Sequence, residues 1–490
     1  MADRRVGMRV HKIKRRLCAV ILTLLIVTGV IVAAGFVQKE KTDNTVFADF
    51  GQKKETIVLW YTDDALTDYL NSKALEFYDR TDIRVETKLV SGLEYLEAIN
   101  RASISESEAP DLYIVSNDSL EKAYLSGLAT ELTETALVSQ EEGFGQAAVN
   151  AVTYQGKIVG CPFYFETSAL LYNKTYLEQI AQTANESMAE SAEEGSEAER
   201  NTQITSEALI PATIADILNF ADQYSTPENV EYFFRWDVSD IFYNYFFIGN
   251  YITVGGAAGD DKSHIDIYNT ESIASLKVYQ ELNQFFSIDT KETTYDTIMQ
   301  EFLEGKTIYT IATSDCIKRL NEATKNGAFP FEYGIAQLPA INQELTTRGM
   351  SVTNALVVNG YSRHKEAANK LIAYLAKEAS GDFYEMTGKI SAAEQQNYTE
   401  EHIQAFVRNY AESVPIPKMV ETSNFWVELE ICFAKVWGGA DANTQIRTLA
   451  EKIETQLAGV PVSKEELEDP QVELLPAVEY EDNGELPEES

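Results

Sequence analysis

Residues 56–62, TIVLWYT, are a continuous run of β-branched, aromatic and aliphatic side chains closed by Asp63-Asp64, as expected for a strand buried on both faces. Leu66, Leu70, Ala74 and Phe77, with Tyr69 and Tyr78, then repeat at helical spacing. Residues 84–90, RVETKLV, alternate as a second strand, residues 93–104 return to the helical period, and residues 111–116, DLYIVS, read as a third strand. This β-α-β-α-β series predicts a parallel sheet with right-handed crossovers. Ligands of such sheets sit outside the carboxyl ends of the strands. Those ends carry Asp63-Asp64 and Asn117-Asp118. Helix capping accounts for one acid at each end, and a pair converging on one edge makes these residues ligand candidates.

Working outward, the chain has 490 residues, 44% hydrophobic and 24% charged, a globular composition with room for two or more domains. Its 77 Asp and Glu against 40 Lys and Arg leave a net charge of -37, which excludes nucleic acid as a partner by repulsion from the phosphate backbone. At the N-terminus, residues 17–36 (LCAVILTLLIVTGVIVAAGF) carry no charge and follow a basic stretch from Arg4 to Arg16. As a helix this run spans about 30 Å, one bilayer core. Residues 1–16 are therefore expected in the cytoplasm, 17–36 as a transmembrane anchor, 37–55 as a linker and the body outside the cell. The alternative is a signal cleaved after Ala33-Ala34-Gly35 or Val46-Phe47-Ala48, releasing a secreted body. Two stretches, 181–208 and 461–490, are acidic and poor in large apolar residues, and are read as a disordered insertion and a disordered tail.

Catalytic and metal-binding patterns do not emerge. The four histidines (His11, His264, His364, His402) lack ligand spacing, and Cys161, Cys316 and Cys432 stand in apolar contexts that predict buried free thiols. Ser119 and Lys122 match an SxxK pattern without its companion motifs, and an acid pair such as Glu231 and Asp237 carries little weight among 77 acids. No catalytic residue, metal or cofactor is assigned. Aromatic residues are more informative, with a dense patch at 232–251 (YFFRWDVSDIFYNYFFIGNY). Sugar rings pack on aromatic faces, so Phe233 and Trp236 are candidates, against an ordinary helical core for most of the patch.

Several longer segments resemble carbohydrate-type extracellular solute-binding proteins of ABC importers, the maltose-binding-protein-like family. They include APDLYIVSNDSLEKAYLSGLATELTE (109–134), GKIVGCPFYFETSALLYNKTYLE (156–178), VTNALVVNGYSRHKEAANKLIAYLA (352–376) and VPIPKMVETSNFWVELEICFAKVWGG (414–439). The resemblance implies a two-lobed periplasmic-binding-protein-like α/β fold with three interlobe crossings, near 164–166, 349–353 and 390–394. The N-lobe would hold 51–165 and 352–392, and the C-lobe 166–351 and 393–460. Asp64, Asp118 and Glu166 match positions that hold sugar hydroxyls in this family, and Phe233 and Trp426 match aromatics that stack on sugar rings. Val115 and Asp315 stand where maltodextrin binders place tryptophans, which points to a smaller or differently shaped solute and adds Asp315 to the candidates. The resemblance further implies a monomeric receptor that delivers a sugar or oligosaccharide to a membrane permease by closing its lobes. An exported carbohydrate-active enzyme and a binding or sensory module without transport are the alternatives.

Overall fold

Thr56–Tyr61 forms a strand, β1, and Arg84–Leu89 (β2) and Leu112–Ser116 (β3) lie beside it in parallel, as the alternating series predicts. The structure, a computed structural model, describes residues 55–105, 108–191, 203–286, 288–378, 382–393 and 398–472. Further along come β4 (Thr153–Tyr154), β5 (Lys157–Ile158), β6 (Cys161–Asn173), β7 (Tyr232–Phe234), β8 (Thr253–Val254) and β9 (Ile265–Asp266). β10 (Thr307–Thr313), β11 (Tyr333–Ala336), β12 (Met350–Val358), β13 (Ile390–Ser391) and β14 (Val414–Pro415) complete the strands. Among the described residues, ten of these join in one sheet whose path runs β2-β1-β3-β12-β6-β10-β7, with β11 and β13 on β6 and β14 on β12.

The helices that connect the parallel strands bury their predicted stripes. Helix Thr67–Thr81 buries Tyr69, Leu70 and Phe77, and helix Tyr95–Ser105 buries Leu96 and Ile99. The strand β6 holds the two halves of the sheet together. At about 3.3 Å per residue it is roughly 43 Å long. Its first part pairs with β12 and β13, with Val352 opposite Glu166 and Ile390 opposite Phe165. Its second part pairs with β10 and β11, with Thr313 opposite Ser168 and Tyr333 opposite Asn173. The segments expected to cross between lobes are thus neighbouring strands around Phe165; the last residue of the third, Glu394, lies outside the described residues. One hydrophobic core packs around Ile57, Leu112, Phe163 and Leu356, and a second around Ile217, Trp236, Tyr279 and Phe433.

Several expectations need correction. The stretch 181–208 is not unstructured at its start, because helix Lys174–Ser191 continues through it; Ala181 and Ile180 are buried there and hold the turn against the body. Residues 192–202 lie outside the described residues. The stretch 461–490 is likewise docked in its first part. Val462 N donates to Thr455 Oγ1 (2.9 Å), Leu467 N to Tyr268 OH (2.8 Å), and Asp469 pairs with Lys277 (2.8 Å). Residues 473–490 lie outside the described residues. The aromatic patch 232–251 is core but not helix: it forms β7 and two 3-10 turns, Ile241–Tyr243 and Tyr245–Phe247. The candidate membrane run 17–36 also lies outside the described residues, and among those described no helix is long and apolar enough to cross a membrane. Cys161, Cys316 and Cys432 are buried and free, as their apolar surroundings predict.

Candidate ligand-binding site

A cavity of about 780 Å³ lies at the carboxyl ends of β1 and β10, where a sheet of this kind places its ligands. One wall is charged. Helix Asp382–Thr387 ends at Gly388, whose φ of +69° is the left-handed turn glycine favours, and whose N–H donates to Tyr384 O at 2.7 Å. The chain then enters β13 beside β6, which brings Lys389 next to Glu166. Lys389 Nζ stands 2.8 Å from Glu166 Oε1 and 2.9 Å from Asp63 Oδ2, and 5.5 Å from the centre of the Tyr164 ring. Burial by itself would lower the Lys389 pKa, but Glu166 and Asp63 together hold it above the ordinary lysine value. Asp63 also caps the turn Asp64–Leu66, accepting from Ala65 N at 3.0 Å.

Another part of the lining is aromatic. Tyr243, from the turn Ile241–Tyr243, stacks on Tyr295 with ring centres 4.8 Å apart. Burial pushes both phenols up, so each stays neutral and able to donate. Tyr295 OH donates to Asp315 Oδ1 (2.9 Å) and accepts from Thr313 Oγ1 (3.1 Å). Arg319, one helical turn after Asp315, has its guanidinium 5.9 Å from the Tyr295 ring centre and donates to Asp296 at 2.9 Å. Trp426, in the first turn of helix Phe425–Trp437, also lines the cavity and meets Tyr245 edge-on at 5.6 Å. Flat apolar faces together with carboxylates and cations in one cavity suit a solute with both ring faces and hydroxyl groups.

The structure brings together some of the sequence-derived candidates and separates the rest. Glu166, Asp315 and Trp426 line this one cavity, and Asp63 is tied to its wall through Lys389. Asp64 and Asp118 are exposed and line none of it; the Asp118 carboxylate instead accepts from the Ser116 hydroxyl. Asn117 is fully buried, accepting from Thr353 N (3.0 Å) and donating to Ile416 O (3.1 Å), so it positions backbone rather than ligand. Trp236 is also fully buried, stacked on Phe234 at 4.5 Å with its Nε1 donating to Asn244 Oδ1 (2.8 Å). Phe233 packs edge-on against Phe220 at 6.0 Å, away from the cavity. Stacking on a solute is thereby corrected for Trp236, whose ring is covered by core; Phe233 is half-buried and lines no part of this cavity. Val115 lies in a separate small hollow, and Glu231 and Asp237 do not meet at the cavity. Glu231 pairs with Lys306, while Asp237 accepts from Ser239 N and Tyr295 N.

Sequence reasoning missed Tyr243, Phe242, Tyr295, Arg319 and Lys389. For Phe242 and Tyr243 a signal was present: Asp240 caps their turn, accepting from Phe242 N at 2.8 Å, inside the patch already marked as aromatic. Lys389 had none, because its partners lie 223 residues or more away along the chain. Among the described residues no cluster of His, Cys, Asp or Glu is arranged to hold a metal ion.

Residues 74–403 match the family described as bacterial extracellular solute-binding protein. The chain belongs to this family. This solute-binding protein is 22% identical over 439 residues to the maltodextrin-binding protein MdxE of Bacillus subtilis, covering 86% of the chain and 95% of the relative. Its fold is similar to that of an extracellular solute-binding protein from Staphylococcus aureus in complex with maltose, with a TM-score of 0.65 at 19% identity over 83% of this chain and 99% of the other. It is also similar to the maltose-binding periplasmic protein MalE of Listeria monocytogenes in complex with maltose, with a TM-score of 0.63 at 20% identity over 83% and 99%. The α/β fold is thus the two-lobed one of maltose-binding proteins.

Proposed function

We propose that this protein is an extracellular receptor that captures a sugar or oligosaccharide and hands it to an ABC import permease. The observation that carries the reading is the pairing, in one cavity, of the Tyr243–Tyr295 stack and Trp426 with Glu166 and Asp315. The relatives named for maltose and maltodextrin support the same solute class. Residues 51–165 with 352–392 form the N-lobe and 166–351 with 393–460 the C-lobe. The adjacent strands near 164–166, 349–353 and 390–394 act as the hinge, and the loaded, closed form is what the permease meets. The protein binds without converting its ligand, as a monomer. Residues 17–36 anchor it in the membrane with the body outside.

Thermal shift of the full-length protein with maltose, maltotriose, other oligosaccharides, polyamines and peptides tests this reading. A ligand at 100 times its Kd adds about 2.7 kcal/mol, a readable rise in midpoint. A saccharide is expected to raise the midpoint saturably, and Trp426→Ala is expected to abolish the rise while leaving the unliganded midpoint nearly unchanged. A rise with polyamines or peptides and none with any saccharide would overturn the solute class.

A further inference from the structure

A cavity that pairs aromatic faces with carboxylates has the parts from which cation sites are made, since ammonium groups bind both. Here Glu166 lines the cavity and Asp63 is tied to it through Lys389, whose ammonium lies 5.5 Å from the centre of the Tyr164 ring, and the Tyr243–Tyr295 stack lines the same cavity. Left alone, that wall would attract a positively charged ligand. Lys389 changes its character. Its ammonium sits between the two carboxylates at 2.8 and 2.9 Å, so two negative charges and one positive leave a single net negative charge. Its side chain is 22% exposed, against 25% for Asp63 and 38% for Glu166, so water screens the pairing only in part. Only Oε1 of Glu166 is engaged, and among the described residues no donor meets Oε2. Glu166 therefore keeps an acceptor for a hydroxyl while the charge of the carboxylate pair is already half answered.

We propose that Lys389 is a specificity-determining residue of this cavity: by occupying Asp63 and Glu166 it makes the site select uncharged, hydroxyl-rich solutes and reject solutes that carry an ammonium group. The inference rests on the reading of the cavity as the solute site. A cationic ligand would have to displace Lys389 or lie beside it as a like charge. A neutral polyol does neither, and accepts from the ammonium while donating to the carboxylates.

The test uses the full-length protein and the variants Lys389→Met, Lys389→Gln and Lys389→Arg. The probes are maltotriose as the neutral ligand, and the glucosamine trimer and spermidine as cationic ones, at a mildly acidic pH where the amines are charged. Calorimetric titration is expected to show that Met and Gln each bind the amines at least about tenfold tighter than the wild type, with the gain shrinking as salt is added. Arg, which keeps the positive charge, is expected to show no gain. Cooperative unfolding of each variant in urea confirms that it is folded. Two neutral variants that fold and bind amines no tighter than the wild type would overturn the inference, as would an equal gain in Arg. If maltotriose binds the wild type and the neutral variants gain nothing, the inference falls while the saccharide reading stands. If no saccharide binds but the neutral variants alone acquire amine binding, the saccharide reading falls and the role of Lys389 stands.

Discussion

Lys389 and Lys418 each lie where separate parts of the chain meet, and each is withdrawn from water in different company. Lys389, at the cavity, is held by two carboxylates. Lys418 is 1% exposed, and its ammonium donates to two backbone carbonyls, Asn150 O at 2.9 Å and Ala258 O. Asp260 and Glu121 attract it only from beyond ion-pair distance, and burial brings its pKa down to about 8. A buried cation is comfortable when countercharge replaces the lost water, and strained when only peptide dipoles do. The two sites thus differ in what holds the proton, not in the residue. At the cavity, the ion pairing also answers half of the charge of the Asp63 and Glu166 pair.

The largest expected effect comes from Lys418. A lysine whose folded pKa lies below its ordinary 10.5 penalises the folded state while both states are protonated. As the pH rises from about 8 to 10.5 the folded protein gives up this proton first, so stability rises by up to about 3 kcal/mol. Urea unfolding of the wild type and Lys418→Met across that window checks it: the difference between them should shift in favour of the wild type as the pH rises. Parallel curves would erase the contrast between the two lysines.

A smaller effect is expected at Lys389. Its folded pKa is raised, so its contribution is present in full below the unfolded value and is lost only as the pH passes the higher folded one. Lys389→Met should lower stability at neutral pH by about 1–2 kcal/mol, less than for a fully buried pair, because Glu166 is 38% exposed. No change in this difference is expected between about pH 8 and 10. Denaturant midpoints at those two values separate this behaviour from that of Lys418.

The smallest effect is at Gly388, which turns the chain into position for Lys389. Gly388→Ala forces a methyl group into a left-handed backbone with the Lys318 side chain 3.0 Å away, and should cost about 1 kcal/mol. Its thermal midpoint should fall by a few degrees. A variant as stable as the wild type would show that the turn does not hold Lys389 in place.

Much of the fold was legible in the sequence because it depends on local periodicity. The run at 56–62, the stripe from Leu66 to Phe77 and the alternation at 84–90 each follow the side-chain repeat of the element they form. The start of helix Ile214–Gln223 is set by an equally local pair, Thr213 and Asp216, each side chain meeting the other's backbone within one turn. The site was legible only in part. Glu166 and Trp426 belong to segments that resemble a family, and both line the cavity. Trp236 failed because an aromatic residue looks the same in sequence whether its face meets solvent or a neighbouring ring.

By itself, then, the sequence determined the order of the first three strands and the two helices between them, the acidic balance and the buried free thiols. These depend on composition and on repeats of two and 3.6 residues, which act over one or two turns of chain. Only the tertiary structure decided that Lys389 lies between Asp63 and Glu166, that Tyr243 stacks on Tyr295, and that residues 181–191 and 461–472 are folded. Each of these depends on groups far apart in the chain that meet only when the sheet has formed, and no local pattern records which carboxylate will find which cation.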